Sequence, residues 1–115
     1  MGSNFLKDIM PLFSVGKKRY FIYIITNNSR TVLYIGLCNN LKRRMREHKR
    51  QMGNKKTFAG RYYCNVLLYY EEFGEVMAAI SREKEIKGWK RHKKEALIAS
   101  KNPKWEDLSF DILDI

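Results

Sequence analysis

Cysteine is scarce and poorly placed for structural chemistry. Cys38 and Cys64 stand apart, outside any C-x-x-C spacing and without nearby histidine partners, which argues against both a zinc site and a disulfide framework. They read as buried thiols of a reducing cytoplasm, the expected compartment. Acidic residues are also few: twelve Asp and Glu face twenty-three Lys and Arg, leaving a net charge of +11 and a pI near 9.8. No uninterrupted apolar run approaches the roughly 18–20 residues that cross a bilayer. The first residues lack a basic stretch leading into an apolar one, so they do not read as a signal peptide, and Leu6 stands where myristoylation expects Ser or Thr. No repeat or low-complexity tract is present.

The 115 residues suit one domain, of a size that buries roughly two thirds of its unfolded surface. A composition 44% hydrophobic and 13% aromatic is too rich in core-formers for a disordered chain. A surface this basic repels itself unless it meets a polyanion, nucleic acid or an anionic membrane. Nucleic acid is the expected partner, DNA favoured, with no membrane.

Residues 1–17 show no clear period, and Pro11 interrupts their apolar positions, so they are taken as an N-terminal extension. Tyr20–Thr26 and Thr31–Gly36 are β-branched and aromatic, and the turn residues Asn27–Arg30 join them as a hairpin. A loop centred on Asn28-Ser29 would place Tyr23 directly opposite Tyr34. Asn39 or Asn40 can cap a helix over about 41–52. A polar, basic loop over 53–61 precedes a long strand over 62–73. Gly74, Gly88 and Asn102-Pro103 then punctuate helices over about 75–87 and 90–100. The order β-β-α-β-α-α predicts an α+β fold: a three-stranded antiparallel sheet flanked by helices. The domain is expected to span 18–108, with a tail over 109–115.

Two helices carry charge where a core should be. Leu41, Met45 and Met52 mark the inward stripe of the first, and Arg44 and His48 share it. An arginine beside an apolar stripe needs an anion or snorkels at its edge. In the next helix Val76, Ala79, Ile80 and Ile86 define a buried face with Glu83 in its middle. A carboxylate there must be protonated, bound to a metal, or paired, with Arg44 as a candidate partner. Arg82, Lys84 and Lys87 read as a solvated rim, and Trp89 and Trp105 as core plugs. Tyr23, Tyr34, Arg44, His48 and Glu83 could therefore converge, and such a set suits phosphodiester hydrolysis. The carboxylate would hold a divalent cation, the guanidinium would match phosphate oxygens, and a tyrosine would relay a proton from water. Residues 41–56 hold Lys42, Arg43, Arg44, Arg46, Lys49, Arg50, Lys55 and Lys56 against the single carboxylate of Glu47, a run able to track a phosphate backbone. Tyr62, Tyr63 and Trp89 lie near basic clusters and could stack on unpaired bases.

These residues resemble the GIY-YIG endonuclease superfamily. Phe21-Ile22-Tyr23 stands where the first motif would be, Tyr34-Ile35-Gly36 is a full second motif, and Arg44 and His48 follow at the superfamily's spacing. Residues 79–84 look like its glutamate helix. Leu68–Phe73, Glu83–Trp89 and Asn102–Leu108 are similar to the small stand-alone bacterial, UPF0213-like branch. The resemblance implies that Glu83 binds one magnesium or manganese ion, Arg44 contacts the scissile phosphate, Tyr34 activates water and Tyr23 supplies a second hydroxyl. His48 matches a helical position that is His or Tyr, and Asn102 a candidate asparagine near the site. Phe21 replaces the glycine of the first motif, and Leu37 stands where excision-repair relatives carry a lysine. The activity implied is metal-dependent cleavage of DNA, structure-guided or weakly sequence-selective, in repair or recombination by a monomer or weak homodimer. The alternatives are a non-catalytic nucleic-acid-binding module on the same scaffold, and an assembly module whose N-terminal apolar segment docks on a larger repair or replication protein.

Overall fold

A computed structural model of the chain describes residues 18–113 and residue 115, so the N-terminal extension read from the sequence lies outside the described residues. Strands β1 (Tyr20–Thr26), β2 (Leu33–Cys38) and β3 (Val66–Phe73) form one antiparallel sheet in the order β2-β1-β3. Helices α1 (Leu41–Arg50), α2 (Phe58–Arg61), α3 (Val76–Lys87) and α4 (Arg91–Lys101) flank it, followed by a 3-10 turn over Leu108–Phe110. This is the α+β arrangement expected, with one short helix added. Among the described residues no helix is long and apolar enough to cross a membrane.

Successive side chains of a strand point to opposite faces, and β1 uses both. Ile22 and Ile24 pack with Ile35, Leu37, Ala79, Ile80, Ile86 and Ile98 beneath α3 and α4. Phe21, Tyr23 and Ile25 pack with Cys38, Leu41, Met45, Ala59 and Ile112 beneath α1 and α2. The central strand is therefore a near-continuous apolar run, covered on both sides. Ile112 is fully buried, so the chain after residue 108 packs onto the domain at that point. Trp89 and Trp105 pack at the margin of the first cluster.

The hairpin register differs from that expected: Tyr23 pairs with Gly36, and Tyr34 with Ile25. The connection holds more residues than a tight turn. Asn27 Oδ1 accepts from the amides of Thr31 and Val32, Thr26 Oγ1 donates to the Val32 carbonyl at 2.6 Å, and Arg30 adopts a positive φ of 58°. The shift is two residues, so both tyrosines keep the same face and become diagonal neighbours. On the other side of β1 the pairing slips after Ile24, leaving Leu68 as the extra residue of a bulge. Its carbonyl accepts from Asn102 Nδ2, whose amide also bonds both backbone groups of Glu106. Asn102 is thus a buried tie between α4 and β3.

Candidate active site

Asn40 caps α1 by accepting from the Arg43 amide at 3.0 Å, and this start sets the helix phase. Leu41, Met45 and His48 are buried on the sheet, with Arg44 half-buried beside them. Met52, read as part of that stripe, is exposed because the helix ends at Arg50 and Gly53 turns the chain with φ +87°.

His48 and Tyr23 meet at the centre of this layer, with His48 Nε2 2.8 Å from the Tyr23 hydroxyl. Ring centroids separate Tyr23 from His48 by 5.6 Å, Tyr34 from His48 by 5.8 Å and Tyr23 from Tyr34 by 6.4 Å. The glycine of the second motif makes room for this triad. A Cβ at Gly36 would fall on the Cζ and hydroxyl of Tyr23 and lie 2.7 Å from its Cε1. Beside the rings opens a cleft of about 440 Å³ lined by Tyr34, Arg44, Glu47, His48, Gln51 and Phe58, among others.

Electrostatics divide the labour within the cluster. Burial pushes His48 down to about 4, and the neighbouring Arg44 guanidinium adds to the effect, so the imidazole is neutral near pH 7. Burial alone would lower the Arg44 pKa, but the acidic groups Tyr23, Cys38, Glu47 and Tyr34 outweigh it and hold the guanidinium firmly protonated. A neutral buried histidine has a measurable consequence. Between pH 6.5 and 4 the unfolded chain takes up a proton that the folded chain refuses, so stability falls as the pH drops through that window, by up to about 3 kcal/mol, and levels off below it. The drop in urea midpoint from pH 7 to pH 4.5 should be clearly smaller for His48→Gln than for the wild type. Equal drops would mean that His48 does not titrate in this way.

Glu83 comes from the other layer. α3 packs against β2 and β1 on the face opposite Tyr23, and β2 is an edge strand, so α1 and α3 address the same strand from opposite faces. The Glu83 side chain is 13% exposed, and its carboxylate lies 3.3 Å from Lys87 Nζ. The pairing with Arg44 is not formed, because the two residues belong to different layers; Arg44 Nη1 instead lies 3.6 Å from Glu47 Oε1. Arg82 is not simply a solvated rim either: it makes a two-pronged bond to Glu71 and pairs with Glu85. Among the described residues no three His, Cys, Asp or Glu side chains group to hold a metal. Glu83 offers one sheltered carboxylate, and a magnesium-like ion, which keeps several waters, needs no more than one or two carboxylates beside substrate phosphate oxygens.

Lys42, Arg43, Arg46, Lys49, Arg50, Lys55 and Lys56 are all exposed. Lys42 donates to the Leu113 carbonyl and Arg43 to Asn39 Oδ1, so two of them also brace the fold. Two side chains in the cleft wall had no functional reading from the sequence. In the sequence Glu47 shows only as a lone negative charge in a basic helix, and Phe58 as one apolar residue in a basic loop. The signal for Phe58 was Thr57 before it, which caps α2 by accepting from the Gly60 amide.

A two-stranded hairpin feeding a helix that returns an arginine and a histidine onto two motif tyrosines is the frame of a nuclease superfamily. The GIY-YIG catalytic domain matches residues 19–96, and the chain belongs to that family. A UPF0213 protein of Natronomonas pharaonis is 39% identical over 80 residues, covering 70% of this chain and 91% of the relative. One from Clostridium perfringens is 37% identical over 92 residues, covering 80% and 96%. The solution NMR structure of a UPF0213 protein from Bacillus halodurans aligns with a TM-score of 0.50 at 27% identity, covering 84% of this chain and 97% of that one.

Proposed function

We propose that this protein is a metal-dependent endonuclease that hydrolyses phosphodiester bonds, in DNA by preference, selecting substrate by structure rather than by sequence, with a role in repair or recombination. The observation that carries this reading is the convergence of Tyr34, Arg44 and His48 at one cleft, with Tyr23 bonded to His48 behind them and the other basic side chains of α1 exposed. Arg44 is the phosphate-facing group: its planar fork matches two phosphate oxygens, and its charge does not titrate. Tyr34 lines the cleft, where its hydroxyl can orient a water. Tyr23 is buried and acts through its bond to His48. With the imidazole proton on Nδ1, Nε2 accepts from the phenol and leaves the phenol's lone pairs for a second donor. Glu83, released from Lys87, would hold one magnesium or manganese ion, which would supply positive charge to a phosphate oxygen and to the leaving group.

The experiment is cleavage of supercoiled plasmid and labelled branched DNA in magnesium, manganese or chelator, with Glu83→Gln and Tyr34→Phe purified alongside. Metal-dependent cutting should fall by a factor on the order of 10² or more in both variants while DNA binding persists. A wild type that binds DNA tightly and salt-sensitively but cuts nothing would instead favour the binding-module reading, to which the Glu83–Lys87 pair lends support. Cutting that survives in both variants would remove these residues from the mechanism.

A further inference from the structure

The rings at the mouth of the cleft are more exposed than packing explains. Phe58 is 51% and Tyr62 42% exposed, in a chain with ample buried positions for aromatics. Phe58 forms the cleft wall, its ring 6.1 Å from Tyr34 at an interplanar angle of 23°, and its other neighbour is Tyr62, 4.8 Å away. The three rings make a short ladder from the site outward. Lys55, Lys56 and Arg61 flank Phe58 and Tyr62 closely in sequence, and they are exposed, as are Lys49 and Arg50 at the end of α1.

The segment that presents the ladder is tightly bonded. Gly53 and Gly60 are joined backbone to backbone at 2.8 Å, Thr57 caps α2, and Asn54 Oδ1 accepts from the Lys56 amide. A Cβ at Gly60 would lie 2.6 Å from the Asn54 carbonyl oxygen, so the chain folds closely on itself here. Rings held this way lose little conformational freedom when they take up a ligand.

We infer that Phe58 and Tyr62 form a stacking platform for an unpaired base, so that the strand entering this cleft must offer a base outside a duplex next to the phosphate at Arg44. A flat apolar ring beside clustered cations is the chemistry of single-strand recognition: charge follows the phosphates and the ring takes a base face. A base paired within a duplex has no free face to give. This deepens the nuclease reading and rests on it for the position of the phosphate.

The test is binding in chelator, so that cutting plays no part. Fluorescence anisotropy would compare a labelled single strand, its duplex and the same strand with one abasic residue. Phe58→Ala and Tyr62→Ala should each weaken single-strand binding by roughly five- to a hundredfold, with duplex affinity unchanged. Phe58→Trp should keep the affinity. Neither alanine variant should alter the salt slope, because no phosphate contact is removed. The wild type should discriminate against the abasic strand and Phe58→Ala should not. DNA and RNA versions of the strand show which polymer supplies the base. Variants that bind the strand like the wild type, or that lose strand and duplex equally, would overturn the inference. A protein that cuts DNA yet behaves so would keep its nuclease activity and lose the platform; one that stacks yet never cuts would do the reverse.

Discussion

Gly36→Ala is expected to destabilise the protein by about 1–3 kcal/mol, lowering the midpoint of thermal unfolding by something on the order of 10 °C. The added methyl would occupy the space of the Tyr23 ring carbon and hydroxyl. Tyr23 is 1% exposed and hydrogen-bonded to His48, so the ring cannot swing outward without leaving an unpaired imidazole in the core. The cost should fall on activity as well. A phenol displaced by an ångström at a reacting centre slows chemistry on the order of 10²-fold. Thermal melts in two backgrounds isolate the cause. The loss from Gly36→Ala should shrink when Tyr23 is already alanine, because the colliding atoms are gone. An equal loss in both backgrounds would place the strain elsewhere in β2.

Arg44→Lys is expected to reduce cleavage by a factor on the order of 10²–10³ while leaving the fold intact. Lysine keeps the charge but gives up the planar fork, and its ammonium is a strongly hydrated point charge. The site asks for more than charge, since the guanidinium is half-buried between Tyr23, Tyr34 and Glu47. Substrate affinity should change less than cleavage, because Lys49, Arg50, Lys55 and Lys56 remain to hold the backbone. Single-turnover rates at saturating enzyme, set beside binding in chelator, separate the two effects. A tenfold or smaller loss in rate would make Arg44 a general electrostatic contact.

Four side chains in and behind the cleft are readable in the sequence because local periodicity alone brings them together. Alternation along two short strands puts Tyr23 and Tyr34 on one face, and the 3.6-residue repeat puts Arg44 and His48 on one side of α1. An even error in hairpin register leaves this unharmed, which is why the pairing was mistaken and the face was not. The misreadings came from side-chain hydrogen bonds that no periodicity reports. Asn27 holds a longer loop than its turn residues suggest. Thr57 starts a helix inside a loop, and Tyr63 at φ +57° breaks the extended run at its start, so strand pairing waits until Val66. The surroundings of Glu83 were least legible. Its apolar neighbours on the helix announced a sheltered carboxylate, but which face of the sheet α3 would cover is a tertiary matter.

The placement of the cleft residues along the chain also bears on how the molecule comes apart. Tyr23, Tyr34, Arg44 and His48 all belong to one hairpin and the helix after it, whose pairings close early because they join near neighbours in sequence. Glu83 arrives from a later segment that must dock across the sheet, and β3 must first pair with β1 over a long intervening stretch. Partial opening that lifts α3 away would strand the carboxylate while the arginine and its rings stay assembled. On warming, grip on nucleic acid should therefore outlast the capacity to cut it.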